Sequence, residues 1–138
     1  MKETVVYEKA MEVRDYEADI QGIVNNANYL HYFEHTRNEY LRHKGFDFVE
    51  LHHRGIDTVV ARADIRFRQS LHPSDRFVCR LAVRKEGVRF IFRQTIVREG
   101  DNAVCAEGET TVVCLINGRL GDCEELSEAF HSDFYAVK

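Results

Sequence analysis

The stretch "DYEADIQGIVNNANYLHYFEHTRNEYL", Asp15 to Leu41, sets the acid Asp19, then Gly22 and two asparagines, ahead of an aromatic run. Asn25 suits a helix N-cap, because its side-chain oxygen can accept a backbone N–H of the first turn. Gly45 suits the stop. Between them Leu30, Phe33, Arg37 and Leu41 recur at helical spacing, with Tyr29, Thr36 and Tyr40 beside them. His31, His35, Asn38 and Arg42 fall on the other side. The spacing predicts a helix of about 19 residues starting at Asn25 or Asn26. A face so wide and aromatic has to be covered.

The cover lies on either side in sequence. Thr4 to Val13 has the character of a strand, and residues 14 to 24 that of a loop. In "TVVARADIRFR", Val59, Ala61, Ala63, Ile65 and Phe67 alternate with Arg62, Asp64, Arg66 and Arg68, which predicts a half-buried strand. Pro73, Ser74 and Asp75 mark a turn. Phe77, Cys79, Leu81 and Val83 alternate next, with Arg80 and Arg84 outward. Glu86-Gly87 turns the chain into "VRFIFRQTIVR", and Gly100-Asp101-Asn102 turns it into a long strand from Ala103 to Ile116. Asn117-Gly118 ends that strand, and a short helix is expected at about Glu124 to His131. Short connections make antiparallel neighbours. The expectation is an α+β domain: a strand, a long helix and a four-stranded meander, with one curved antiparallel sheet wrapped around the helix. Gly108 inside the last strand calls for a bulge or a close backbone approach.

Composition bounds the function. The 138 residues suit a single domain, residues 1–138, with an ordinary 44% apolar and 30% charged content. No apolar run reaches the ~18–20 residues of a membrane span. "MKETVVYEK" lacks the apolar core of a signal peptide, so a cytoplasmic protein is expected. The net charge of −4 argues against general nucleic-acid binding. Cys79, Cys105, Cys114 and Cys123 form no C-x-x-C pair, so they are expected as buried side chains, with no metal site and no cofactor. His31 and His35 share a helix face without an H-E-x-x-H pattern, which favours a solvated face over a metal.

Chemistry concentrates before the helix. Asp19 sits in a loop that must run near the helix entrance, and Gly22 permits backbone geometry that a Cβ would forbid. The helix N-terminus at Asn25 to Asn28 offers unpaired N–H groups and the positive end of the dipole. Such groups hold a developing oxyanion, while an acid within reach activates water or attacks a carbonyl. Together these are the parts for acyl hydrolysis.

The stretch resembles the hotdog-fold acyl-CoA thioesterases of the hydroxybenzoyl-CoA thioesterase type. Asp19, Gly22, Ile23, Val24, Asn28, Tyr29, Phe33, Glu34 and Arg37 stand where that family has its acid, glycine, apolar pair, Asn/Ser-Tyr and aromatic helix with acid-x-x-Arg. "FRQSLHPSD" differs in having Ser70 where relatives often have Pro. The resemblance implies an acyl-CoA thioesterase with Asp19 as general base or nucleophile. It places the N–H near Asn26 on the thioester carbonyl and implies substrate contacts at Asn25 and Tyr29. It also implies that basic residues, Lys85 and Arg89 among them, hold the coenzyme A phosphates, and that the site is built from two chains in a homodimer or homotetramer.

Other readings stand beside this one. Glu34 would be a structural partner of Arg37 or of a neighbouring strand, or would position water. Arg62, Arg66 and Arg68 would be a solvated face or part of a phosphate groove. His52 and His53 would lie in a loop bordering the acyl pocket. That pocket would be lined by the helix stripe with Phe46, Phe48, Val49 and Leu51. The rival functions are an acyl-carrier-protein thioesterase and a non-catalytic acyl-CoA-binding domain. A hotdog dehydratase is disfavoured, because no His occurs before His31 to complete an Asp-and-His pair.

Overall fold

The computed structural model describes residues 3–136. Met1, Lys2, Val137 and Lys138, which the expected domain includes, lie outside the described residues. The elements run β1 (Tyr7–Glu12), α1 (Asn26–His43), α2 (Phe48–His53), β2 (Ile56–Phe67), β3 (Arg76–Glu86), β4 (Arg89–Arg98), β5 (Val104–Ile116), β6 (Arg119–Gly121) and α3 (Glu124–Phe130). The strands form one antiparallel sheet in the order β1-β3-β4-β5-β2, with β6 also on β5. This is the expected α+β arrangement of a curved sheet around one long helix.

The helix starts and stops for the reasons its sequence gives. Asn25 caps it, its side chain accepting from the Ala27 N–H at 3.0 Å. Gly45 follows the C-cap Lys44 at φ +91°, the left-handed position that ends helices. The buried face is Tyr29, Tyr32, Phe33, Thr36, Arg37, Tyr40 and Leu41. Leu30, expected in the stripe, is instead 48% exposed, and Tyr32 takes its place in the core. α1 lies against β1 and β3, so the buried arc is rotated towards the Tyr32 side.

Three expectations about the strands are corrected. The four later strands are not a simple meander, because β2 pairs with β5 and not with β3. Residues 68–75 connect β2 to β3 and are long enough to cross the intervening strands. Nor is β2 half-buried: Val59, Val60 and Phe67 are exposed, because β2 is an edge strand that α1 covers only in part, through the Tyr29 ring that meets Phe67 at 5.3 Å. Its alternation also breaks at a bulge between Val60 and Arg62. Val60, not Val59 or Ala61, therefore sits opposite the buried Val112 and on the same face as Ala63, Ile65 and Phe67. Finally, "DFVELHH" is no loop. Asp47 caps α2 by accepting from the Val49 and Glu50 N–H groups, and His52 pairs with Asp57 at 2.7 Å. β6 was not anticipated.

Gly108 is a close approach and not a bulge, since the register runs unbroken through it on both sides. A Cβ there would lie 2.9 Å from Cε2 of Phe33. The four cysteines are free and buried. The core has two apolar clusters, one around Tyr29, Phe33 and Phe77 and one around Tyr40, Phe90 and Phe130. Between them lies a polar layer: Arg37 donates to Gln94 Oε1 at 3.1 Å and Thr110 Oγ1 at 3.4 Å, and Gln94 Nε2 donates to the Phe33 carbonyl at 2.9 Å.

Candidate active site

The loop before α1 is a folded device. Its base is a bridge between Ala18 and Val24. At its tip the Gly22 N–H donates to the Asp19 carbonyl at 2.9 Å, and Gly22 sits at φ +78° with open space around its α-carbon. Glycine is thus required for the backbone angle, not for a close approach. The Gln21 N–H donates to Asp19 Oδ1 at 2.8 Å. That bond fixes the carboxylate and leaves its second oxygen without a partner among the described residues.

Glu17 ties this loop to the helix, a role that nothing in the sequence signalled. It is 7% exposed. Its Oε1 accepts from the Tyr32 hydroxyl at 2.9 Å and the Arg14 N–H at 2.7 Å. Its carbonyl accepts from the Asn25 N–H at 3.0 Å and from Asn28 Nδ2 at 2.8 Å. Burial, and then the bond to Glu17, hold the Tyr32 phenol pKa well above its ordinary range, so Tyr32 stays a neutral donor.

Asp19, Asn26 and Tyr29 line one cavity of about 320 Å³, walled by Val24, by Phe67 at the end of β2 and by Gln69 and Ser70 after it. Ser70 is held in place by its carbonyl, which accepts from Arg98 Nη1 at 2.8 Å. The first-turn amides of α1 are distinguishable. Ala27 N–H is capped by Asn25 Oδ1, and Asn28 N–H donates to the Asn25 carbonyl. Asn26 N–H has no acceptor among the described residues, and it stands at the cavity and at the positive end of the helix. The Tyr29 hydroxyl accepts from the Leu71 N–H at 3.3 Å. Burial raises its pKa, so it keeps a proton to donate.

The other expected site residues are elsewhere. The Asn25 side chain is committed to the cap. Lys85 pairs with Asp122 at 2.7 Å, and Arg89 opens β4. The register places them level with Val112, whereas Phe67 of the cavity wall is level with Ala106, about 20 Å away along β5. Arg68 pairs with Glu107 at 2.7 Å. Glu34 is exposed and makes no ion pair with Arg37 among the described residues, so it is not the structural partner expected there.

A second cavity, of about 250 Å³, lies further along α1 towards the first half of β2. Phe48, Phe90, Phe92 and Phe130 line it, with Glu34, Arg37 and Asn38 at α1. Of the four expected lining residues of the 46–51 segment, only Phe48 takes part. Leu51 is core, Val49 is 63% exposed, and Phe46 packs against Phe130. No helix among the described residues is long and apolar enough to cross a membrane, and no cluster among them has the makings of a metal site.

Residues 13–134 match the family described as the Thioesterase-like superfamily. A putative esterase of Aquifex aeolicus is 32% identical over 108 residues, covering 78% of this chain and 84% of the relative. An acyl-acyl carrier protein thioesterase of Arabidopsis thaliana, ATL2, is 32% identical over 112 residues, 80% of this chain and 60% of the relative. The acyl-CoA thioester hydrolase YbgC of Escherichia coli is 26% identical over 113 residues, 81% of this chain and 84% of the relative. Among solved structures, a hypothetical protein of Aquifex aeolicus superposes with a TM-score of 0.84 at 28% identity, over 90% of this chain and 98% of that one.

Proposed function

The chain belongs to the Thioesterase-like superfamily, a group of hotdog-fold thioester hydrolases, and from that premise we propose that it hydrolyses an acyl-CoA at the Asp19 cavity. The observation that carries this reading is the pairing of a free helix-entrance N–H at Asn26 with an Asp19 carboxylate on the same cavity. The thioester carbonyl oxygen accepts from the Asn26 N–H, and the helix dipole stabilises the charge it gains. Asp19 takes a proton from water as the water oxygen attacks the carbonyl carbon. The tetrahedral intermediate collapses with its oxyanion on Asn26 N–H, and the C–S bond breaks. The coenzyme A thiolate leaves and takes up a proton. If Asp19 attacks directly, the same N–H serves a mixed anhydride, which water then hydrolyses. Gly22 sets the turn that aims Asp19, and Tyr29 supplies a neutral donor to the bound acyl group.

An acyl-carrier-protein thioester is the second reading, favoured by the 32% identity to the Arabidopsis enzyme. The reading takes residues 1–138 as one such domain, acting in the cytoplasm as a homodimer or homotetramer. The exposed edge of β2, with Val59 and Val60, is the surface for that pairing. Lys85, Arg89 and Asn25 then meet substrate only where a second chain brings coenzyme A to them.

The test is Asp19→Asn assayed for thiol release from acyl-CoA thioesters. A loss of at least ~10²-fold in kcat is expected. The melting temperature should hold, because among the described residues Asp19 has one side-chain bond, accepted from the Gln21 N–H, which an amide oxygen can also accept. Near-normal turnover by the folded variant would remove Asp19 from the chemistry.

A further inference from the structure

We infer that the cavity beside Arg37 receives the far end of the acyl group and selects there for a neutral oxygen acceptor, such as a ketone. This deepens the reading of Asp19 and Asn26 as the thioester end and rests on it. The starting point is an unusual buried cation. Arg37 is 8% exposed, and burial lowers its pKa. Its two side-chain hydrogen bonds among the described residues both leave from Nη1, to the neutral acceptors Gln94 Oε1 and Thr110 Oγ1. Nε and Nη2 have no partner among the described residues, yet no buried side-chain nitrogen or oxygen among those residues lacks one. Nε and Nη2 therefore keep open access, and the space that adjoins Arg37 is this cavity.

The rest of the lining is mostly hydrocarbon and aromatic ring. A plain methylene chain entering there strips water from the three N–H groups of Nε and Nη2 and returns nothing. An oxygen acceptor restores the bonds, and bonds to a charged donor are the strong ones. The charge of that oxygen is decided by its neighbours. The groups around Arg37 are Glu34, Gln94, Thr110 and Cys79. Glu34 lines the same cavity, its charge already offsets that of Arg37, and it has no ion-pair partner among the described residues, so a carboxylate desolvated there is left without a counter-charge while a ketone needs none. Size and reach agree. A cavity of about 150 Å³ holds benzene, so 250 Å³ takes about ten non-hydrogen atoms. Eight positions along α1 separate Tyr29 from Arg37, about 12 Å. That is roughly ten bonds of an extended chain at about 1.2 Å each.

A turnover-free experiment isolates this site. Asp19→Asn protein, labelled with ¹⁵N, is titrated with 2-decanone, decanoate and decane while the Arg37 Nε–H signal is followed. The ketone should shift that signal, and decanoate should bind at least tenfold more weakly. Glu34→Gln, a change at an exposed side chain, should raise decanoate affinity at least tenfold. A ketone that leaves the Arg37 signal unmoved, or decanoate binding as tightly as the ketone, overturns the inference. The wild-type protein supplies a second arm. Dodecanoyl-CoA is compared with derivatives bearing an oxo group at successive carbons from C8 to C12. One position should exceed the parent at least tenfold in kcat/KM. A profile flat within threefold, with the parent well hydrolysed, overturns this inference and leaves the function standing. Failure to hydrolyse any thioester, on coenzyme A or on carrier protein, would refute the function and leave the ligand titration as the judge of the cavity.

Discussion

Gly108→Ala puts the packing that carries the site under direct strain. The added methyl would lie 2.9 Å from Phe33 Cε2 and 3.2 Å from Cζ, where ordinary contacts begin near 3.4 Å. The ring would have to give by about half an ångström. It has no empty side to move into, since Phe33 is 1% exposed and packed in the first core cluster. Overpacking of this kind costs ~1–3 kcal/mol. The lost freedom of the unfolded chain returns ~0.4–1 kcal/mol. A net loss of up to about 2.6 kcal/mol is expected, about 1.3 kcal/mol at the midpoints of these ranges. At about 2.1 cal/mol/K per residue, 1 kcal/mol corresponds to ~3–4 °C for a chain of this length, so the melting temperature should fall by ~4–5 °C at the midpoint and by ~9 °C at most. Differential scanning calorimetry measures this. The control is a double-mutant cycle with Phe33→Leu, which removes the ring edge. On that background Gly108→Ala should cost ~1 kcal/mol less or more favourably still. Equal stability of Gly108→Ala and parent, or additive effects in the cycle, would refute the argument that Phe33 and Gly108 form one fitted contact.

Further outcomes follow from the same structure. Glu17→Ala leaves the buried Tyr32 hydroxyl without its acceptor, which should cost ~1–3 kcal/mol, and it should lower kcat by freeing the Asp19 loop; Tyr32→Phe, which removes donor and demand together, should cost less in a urea melt. Asp101 is held down to a pKa of about 2 by Arg98, then by the Ala103 N–H. Because its folded pKa is depressed, this contribution is present above the ordinary aspartate range and is lost as pH falls through about 2. A carboxyl NMR titration should show that value, and Arg98→Gln should move it up towards the ordinary range. Light scattering should give at least a dimer, and Val60→Lys on the β2 edge should weaken it; a stable, active monomer at low concentration would dismiss the edge as an interface.

Local periodicity made much of this molecule legible, and it failed where partners had to be chosen. The helix and the β3–β4–β5 hairpins follow from caps, turns and alternation within a few residues. The place of β2 does not, because an alternating strand carries no mark of which neighbour it will find. The bulge at Ala61 compounded this by moving Val60 to the face assigned to Val59. α2 is marked in the sequence by Asp47 followed by Glu50, a cap signature that carries little weight before a helix of six residues. At the site, the spacing of Asp19, Gly22 and Asn26 pointed to a shared cavity, and Asp19 and Asn26 do line one. Glu17 stayed hidden, since a buried acid looks like any other acid until its partners are seen. Arg37 was placed in the apolar stripe by its spacing alone, and only the structure shows which of its nitrogens are spent.

The placing of β2 against β5 also sets a clock. Ile56 pairs with Ile116, sixty positions later, and Phe67 with Ala106. At roughly 5–20 residues per second on a ribosome, Ile56 waits about 3–12 s for its partner to be made. Through that interval the strand's valines and the aromatic side of α1 are both in the open. The hairpins of β3, β4 and β5 close within a few residues of being synthesised, so the wall is standing before the strand that completes it can dock. A nascent chain stopped short of residue 106 has no seat for β2 at all.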